Sequence, residues 1–167
     1  MLQLAEFLAQ SGYRRIPLER SGLGHFHAPG SLRDRVVSVL VDTGAGCTLV
    51  SLALARELGV ALTLHPGKGG GAGGASMDIY EVQGAKLELA EMSIRPRCLL
   101  AMDLTHANEA LALQGAGPVE AIMGLDVFEA HAAVIDYGSQ SLFLREARST
   151  ESTIAPDPTR NEVSGTP

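Results

Sequence analysis

Val36 to Val41 is a run rich in β-branched side chains, and it leads without a break into Asp42-Thr43-Gly44-Ala45-Gly46. No other stretch constrains the chain as tightly. Valine and leucine in such a run suit a pleated strand packed against a core. A carboxylate at the end of an apolar strand is costly unless it is hydrogen-bonded or used in chemistry. Gly44 and Gly46 permit a tight loop whose backbone N–H groups can turn back toward Asp42. The apolar pattern resumes at Thr48. Ser51 is placed to N-cap a helix over Leu52 to Leu58, with Gly59 just past its end. Asp-Thr-Gly alone is also an ordinary turn sequence.

The 167 residues suit one domain with a tail, and 46% hydrophobic content is enough for a core. The net charge of −6 argues against a nucleic-acid surface. No apolar run reaches membrane-spanning length. The start of the chain lacks a basic region and carries Glu6, so it does not read as a signal peptide. Cys47 and Cys98 are the only cysteines, so no disulfide scaffold is implied and a reducing, cytoplasmic location is expected. Nucleic acid and membrane are therefore not expected partners.

Along the chain, residues 2–10 read as a short amphipathic helix with Leu4, Phe7 and Leu8 on one side, ended by Ser11-Gly12. Residues 13–18 and 24–28 read as strands, and Pro29-Gly30-Ser31 as a turn. His25 and His27 share a face of the second strand. With no third ligand nearby in sequence they are read as exposed polar residues, and no metal is expected. Further strands are expected at 60–64, 76–82, 85–89 and 94–101, the last an edge because of Pro96. A short helix is expected at 108–113. Residues 132–137 and 141–144 read as a hairpin through Gly138-Ser139. From Ala147 onward there is little to bury, and 147–167 reads as a disordered tail. The expected divisions are a helical extension at 1–12, a domain at 13–146 and that tail.

A faint internal repeat links 40–58 with 122–131. In each, an apolar strand end leads into a short helix. Asp42 stands at the strand end of the first copy, and no carboxylate stands at the equivalent place in the second, Ile122-Met123-Gly124-Leu125-Asp126.

Three segments together resemble the retropepsin-type aspartic proteases, specifically their bacterial members. They are Val41-Asp42-Thr43-Gly44-Ala45, Ile122-Met123-Gly124-Leu125-Asp126, and Ala133 to Tyr137 with Leu142-Phe143-Leu144. The resemblance covers roughly residues 13–145. It implies an all-β fold, a retropepsin-like closed barrel with one or two short helices. It also implies an aspartic endopeptidase acting on polypeptides. Asp42, Thr43 and Gly44 are then catalytic, and Ala45 and Gly46 bind substrate. The glycine run from Gly67 to Gly74 lies where the family has its flap, so Gly70, Gly71, Ala72 and Gly73 are expected to touch substrate. Gly46 departs from the viral members, which carry an acidic residue there. No cofactor is implied. A non-catalytic dimerisation or peptide-binding module on the same fold is the alternative.

Peptide hydrolysis by carboxylates takes two of them around one water, one as base and one as acid. Asp136-Tyr137-Gly138 is the nearest second copy, but Tyr137 stands where the loop requires Thr or Ser. Asp136 is read as a turn residue and Asp126 as a helix cap. The second carboxylate is therefore expected from a second chain, in a homodimer with a two-fold axis between two Asp42 residues. The pattern Gly69-x-Gly71-x-x-Gly74 also matches a dinucleotide fingerprint, but no doubly wound pattern surrounds it. Cys47 and Cys98 read as small buried residues, and His131 as structural.

Overall fold

The computed structural model describes residues 4–70, 76–94, 96 and 98–146. Helix α1, Leu4–Gln10, precedes strands β1 (Tyr13–Pro17), β2 (Glu19–Arg20), β3 (Phe26–Leu32), β4 (Arg35–Val41) and β5 (Leu49–Ser51). Helix α2, Leu52–Glu57, leads to β6 (Ala61–Gly69), β7 (Met77–Gln83), β8 (Leu87–Leu89), β9 (Met92–Ser93) and β10 (Leu100–Met102). Helix α3 (Thr105–Ala112), β11 (Ala121–Met123), α4 (Leu125–Ala130), β12 (Val134–Asp136) and β13 (Ser141–Arg145) follow.

The fold is all-β with short helices. The main sheet runs β6-β7-β10-β5-β11-β4-β3-β8-β9, with β2 beside β3, and a smaller sheet runs β1-β13-β12. Among the described residues this pairing does not close into a ring. Its ends are the β6–β7 hairpin and the short β8–β9 hairpin, and nothing pairs one with the other.

The centre of the sheet carries the internal repeat. Strand β11 pairs in parallel with β4, Met123 opposite Val41, and β10 pairs in parallel with β5, Leu100 opposite Leu49. Strands β11 and β5 join the two pairs antiparallel. Near the strand ends one face is buried and the other is partly covered. Val39, Ala121, Val50 and Ala101 turn to the larger apolar cluster with Met123, Leu89 and Leu142. Leu40, Ile122, Leu49 and Leu100 turn to a smaller one with Ile79, Met102 and Val119. Burying a side chain of this size contributes about 2 kcal/mol, so the strand ends are held on both sides.

Several local expectations change. Pro29, Gly30 and Ser31 lie inside β3, and the turn falls at Arg33-Asp34, whose φ values of 47° and 41° suit a two-residue hairpin. Gly30 is needed for packing there, since a Cβ would come within 2.8–2.9 Å of Glu88, Leu89 and Val39. Strand β10 is interior, paired on both sides by β7 and β5, so the edge expected from Pro96 stops short of it. Helix α3 starts three residues earlier than expected. Of the three apolar residues read onto one side of α1, Leu8 alone is buried; Leu4 and Phe7 are exposed. Ser51 caps α2 as expected, its Oγ accepting the Leu54 N–H at 3.0 Å. The stretch 147–167 lies outside the described residues.

Candidate active site

Asp42 follows the last residue of β4. Its own N–H donates to the Met123 carbonyl at 3.1 Å, which continues the β4–β11 pairing by one step. The chain then turns. The Gly44 N–H donates to Asp42 Oδ1 at 2.8 Å, and the Ala45 N–H to the Asp42 carbonyl at 3.2 Å. A Cβ on Gly44 would sit 3.2 Å from Asp42 Oδ1, so glycine leaves the carboxylate room. Asp42 and Ala45 are half-buried; Thr43, Gly44 and Gly46 are exposed.

The far side of this loop rests on the second copy of the repeat. The Leu125 N–H donates to the Ala45 carbonyl at 2.8 Å. The Gly124 N–H donates to Thr48 Oγ1 at 3.1 Å, and that hydroxyl donates to Asp126 Oδ1 at 2.8 Å. Thr48 is fully buried. Gly124 lies so close that a Cβ there would fall 2.7 Å from the Cys47 backbone and 2.8 Å from the Ala45 carbonyl. Gly124 itself occupies the cap position of α4, so Asp126 is no cap; its carboxylate is turned to the loop instead. Asp126 Oδ2 is buried without a hydrogen-bond partner.

A cavity of about 240 Å³ opens beside Asp42, lined by His25, Phe26, Leu40, Val41 and Tyr137. Tyr137 meets Phe26 edge to face at 4.9 Å between ring centres. Nothing in local sequence placed Tyr137 here. It lies in the β12–β13 turn, where Asp136 Oδ1 accepts the Gly138 N–H at 3.0 Å and Oδ2 accepts the Ser139 hydroxyl at 2.5 Å. Those bonds, the Ser139 hydroxyl first, hold the Asp136 carboxyl below the usual carboxylate range. Asp136 thus repeats the Asp-x-Gly hydrogen bond of Asp42 in an exposed turn.

Of the remaining predicted site residues, Gly70 is exposed at the end of β6, while Gly71, Ala72 and Gly73 lie outside the described residues. The arms of that hairpin are paired, Lys68 opposite Asp78 and Gly69 opposite Met77. A Cβ on Gly69 would strike Ile79 and Met102, at 2.6 and 2.8 Å, so glycine lets the arm lie on the smaller apolar cluster. His131 is buried at the end of α4, bonded through Nδ1 to the Arg145 carbonyl at 2.9 Å. His27 bonds Ser38 at 3.0 Å, and burial followed by the neighbouring His25 pushes its imidazole below its ordinary range. Among the described residues no group of three or more His, Cys, Asp or Glu could hold a metal ion. Cys47 is exposed and Cys98 half-buried, so the expected burial fails for Cys47: the loop turns it outward where Thr48 turns in.

An interior strand that ends on Asp-Thr-Gly, with a second strand–helix turn clamping the loop, defines an aspartic-protease-like β protein. The sequence pattern described as aspartyl protease matches residues 28–127, more than half of the chain, and the chain belongs to that family. Three solved structures are similar to it. The retroviral protease-like domain of Ddi1 from Leishmania major is 20% identical, with a TM-score of 0.49, over 71% of this chain and 86% of that one. A retropepsin-like aspartic protease from Rickettsia conorii is 17% identical, with a TM-score of 0.49, over 80% and 89%. The EIAV protease in complex with the inhibitor HBY-793 is 18% identical, with a TM-score of 0.42, over 62% and 84%. No curated protein matches the chain significantly.

Proposed function

We propose that the chain is an aspartic endopeptidase that hydrolyses peptide bonds as a homodimer. The observation that carries this is the asymmetry of the repeat. Asp42 ends β4, partly open to a cavity and held by the Gly44 N–H, while the parallel neighbour β11 ends opposite it on Gly124. One chain therefore offers one carboxylate at the place where two are needed, and a second copy supplies the other.

In the dimer the two Asp42 carboxylates share a proton, because ionising both would set like charges together in a partly desolvated cleft. The ionised one takes a proton from the attacking water. The protonated one polarises the scissile carbonyl and stabilises the oxyanion that forms. The Gly44 N–H keeps the carboxylate oriented, and Thr43 bonds across to the partner loop. Ala45, Gly46 and the glycine-rich run Gly70 to Gly73 contact the polypeptide, that run serving as the flap. Residues 13–146 form the working domain and 147–167 a dispensable tail. The two free thiols agree with a cytoplasmic location.

The test is peptide cleavage by wild type and Asp42→Asn, each across a dilution series with sedimentation alongside. Wild type loses specific activity as the dimer dissociates, and its rate falls at both ends of an acidic optimum, where the pair holds two protons or none. The Asn variant dimerises and does not cleave. Activity strictly proportional to chain concentration in a monomer would overturn the dimeric site. A folded, dimeric wild type that cleaves no peptide would favour the binding module.

A further inference from the structure

Cys47 and Cys98 lie 51 positions apart in the chain and flank the same end of one parallel strand pair. Leu100 stands opposite Leu49, and the Leu100 N–H donates to the Thr48 carbonyl at 3.3 Å. Two residues back from this rung along each chain are Cys98 and Cys47, both just beyond the paired residues at the same end of the two strands. Cys98 lies on the face of Leu49 and Leu100, while Cys47 is turned outward. Cys98 is indeed packed with Leu49 against the smaller apolar cluster. Neighbouring strands run about 4.8 Å apart, within the Cα separation that a disulfide spans.

The two thiols differ in chemistry. Cys98 is half-buried, and burial, then the charges of Glu81, Cys47 and Asp126, push its thiol up. Cys47 is exposed on the loop that carries Asp42. We infer that Cys47 and Cys98 form a reversible disulfide across the open end of the β5–β10 pair, a redox modification site that pins the Asp42 loop.

The oxidant is a low-molecular-weight disulfide. The Cys47 thiolate attacks one of its sulfurs, the S–S bond breaks, and one thiol leaves with the proton that Cys47 gave up. Cys98 then loses its proton and attacks the Cys47 sulfur of the mixed disulfide, expelling the second thiol. Two protein thiols are oxidised and one small disulfide is reduced to two thiols. The exposed thiol reacts first and the sheltered one resolves. Closure turns the outward Cys47 back toward the sheet and draws Gly46 and Ala45 with it, against the Leu125 N–H that holds Ala45 on the other side.

The test incubates the reduced full chain with oxidised glutathione and follows it by intact mass and non-reducing peptide mapping. The expected product is a Cys47–Cys98 bridge within one chain, with a higher thermal midpoint than the reduced form because the closed loop restricts the unfolded chain. Cys98→Ser stops at a glutathione adduct on Cys47, and Cys47→Ser gives no bridge. Adduct on Cys47 alone in wild type, or bridges only between chains, would overturn the inference. The effect on catalysis rests on the proposed protease reading: turnover falls about tenfold or more from the displaced loop and returns with dithiothreitol, while Cys98→Ser does not respond. A bridge that forms in a chain that never cleaves peptide would leave the disulfide standing and defeat the protease reading instead. Unchanged turnover in the bridged, cleaving enzyme would overturn the pinning of the loop.

Discussion

The two strand ends at Val41-Asp42 and Met123-Gly124 are neighbours in one sheet, run in the same direction and sit in register. Each leads out of a two-faced apolar strand. At one the chain places a carboxylate and lets it stay half-buried beside a cavity. At the other it places a residue with no side chain, because the Asp42 loop occupies the space a Cβ would need. The difference teaches that the second copy is a buttress. Its backbone N–H groups at Gly124 and Leu125, and the carboxylate of Asp126 through Thr48, carry the bonds that hold the first copy's loop.

Exchanging the properties of the two ends tests this. Asp42→Asn is expected to have the largest effect, at least about a thousandfold loss of turnover, equivalent to roughly 4 kcal/mol of barrier. Its urea-unfolding midpoint stays close to wild type, since the Asn oxygen still accepts the Gly44 N–H. A matching loss of stability would make Asp42 a structural residue and erase the contrast. Gly124→Ala is expected to do the opposite, lowering unfolding stability by about 3 kcal/mol because the new methyl meets backbone that cannot rotate away. Activity falls with it through displacement of the loop. A stable Gly124→Ala protein would show that the loop and the second strand end are not tightly packed.

Thr48→Val sharpens the comparison at the hydroxyl that joins the two copies. The shape is kept, but the Gly124 N–H loses its acceptor and Asp126 loses its donor in a buried place. A cost of about 2 kcal/mol is expected, measured by denaturant unfolding; a change near zero would mean the hydroxyl bonds carry little of the clamp. The smallest effect belongs to Asp136→Asn, in the turn that resembles the Asp42 loop. The Asp136 carboxyl is held below its ordinary range by the Ser139 hydroxyl and then the Gly138 N–H. A carboxyl depressed in the folded state stabilises above its unfolded pKa, and that contribution is lost as pH falls through the folded value. The variant should therefore melt slightly below wild type at neutral pH, and the two should converge in strong acid. Cleavage should be retained; its loss would promote Asp136 from a turn residue to part of the site.

Much of this arrangement is legible in the residues alone, for reasons local to the chain. Val36 to Val41 alternates a buried and an outward face once folded, but its β-branched run already demanded a strand, and glycines two and four residues after Asp42 already demanded a loop that turns back. Ser51 and Gly59 bracket α2 because caps satisfy backbone groups within a few residues. The hairpin at Gly138-Ser139 follows from the same short-range chemistry. Pro29-Gly30-Ser31 misleads because its turn-like composition serves packing between strands: Gly30 is small to let β8 and β4 approach β3, not to bend the chain. Pro96 misleads likewise, since the strand that follows it is wedged between two others.

The sequence by itself determined a β-rich chain with Asp42 at a strand end, a second copy of that turn with no carboxylate at its strand end, and a cap for the helix between. Each depends on interactions spanning a few residues. Tertiary structure alone decided that the two copies lie side by side in register, that Gly124 must be glycine, that Asp126 turns to Thr48 instead of capping its helix, and that Cys47 faces outward. It also brought Tyr137 beside Asp42 from nearly a hundred residues away. These outcomes are set by close packing between segments distant in the chain, where a tenth of a nanometre decides whether a methyl group fits, and that spacing exists only once the sheet has formed.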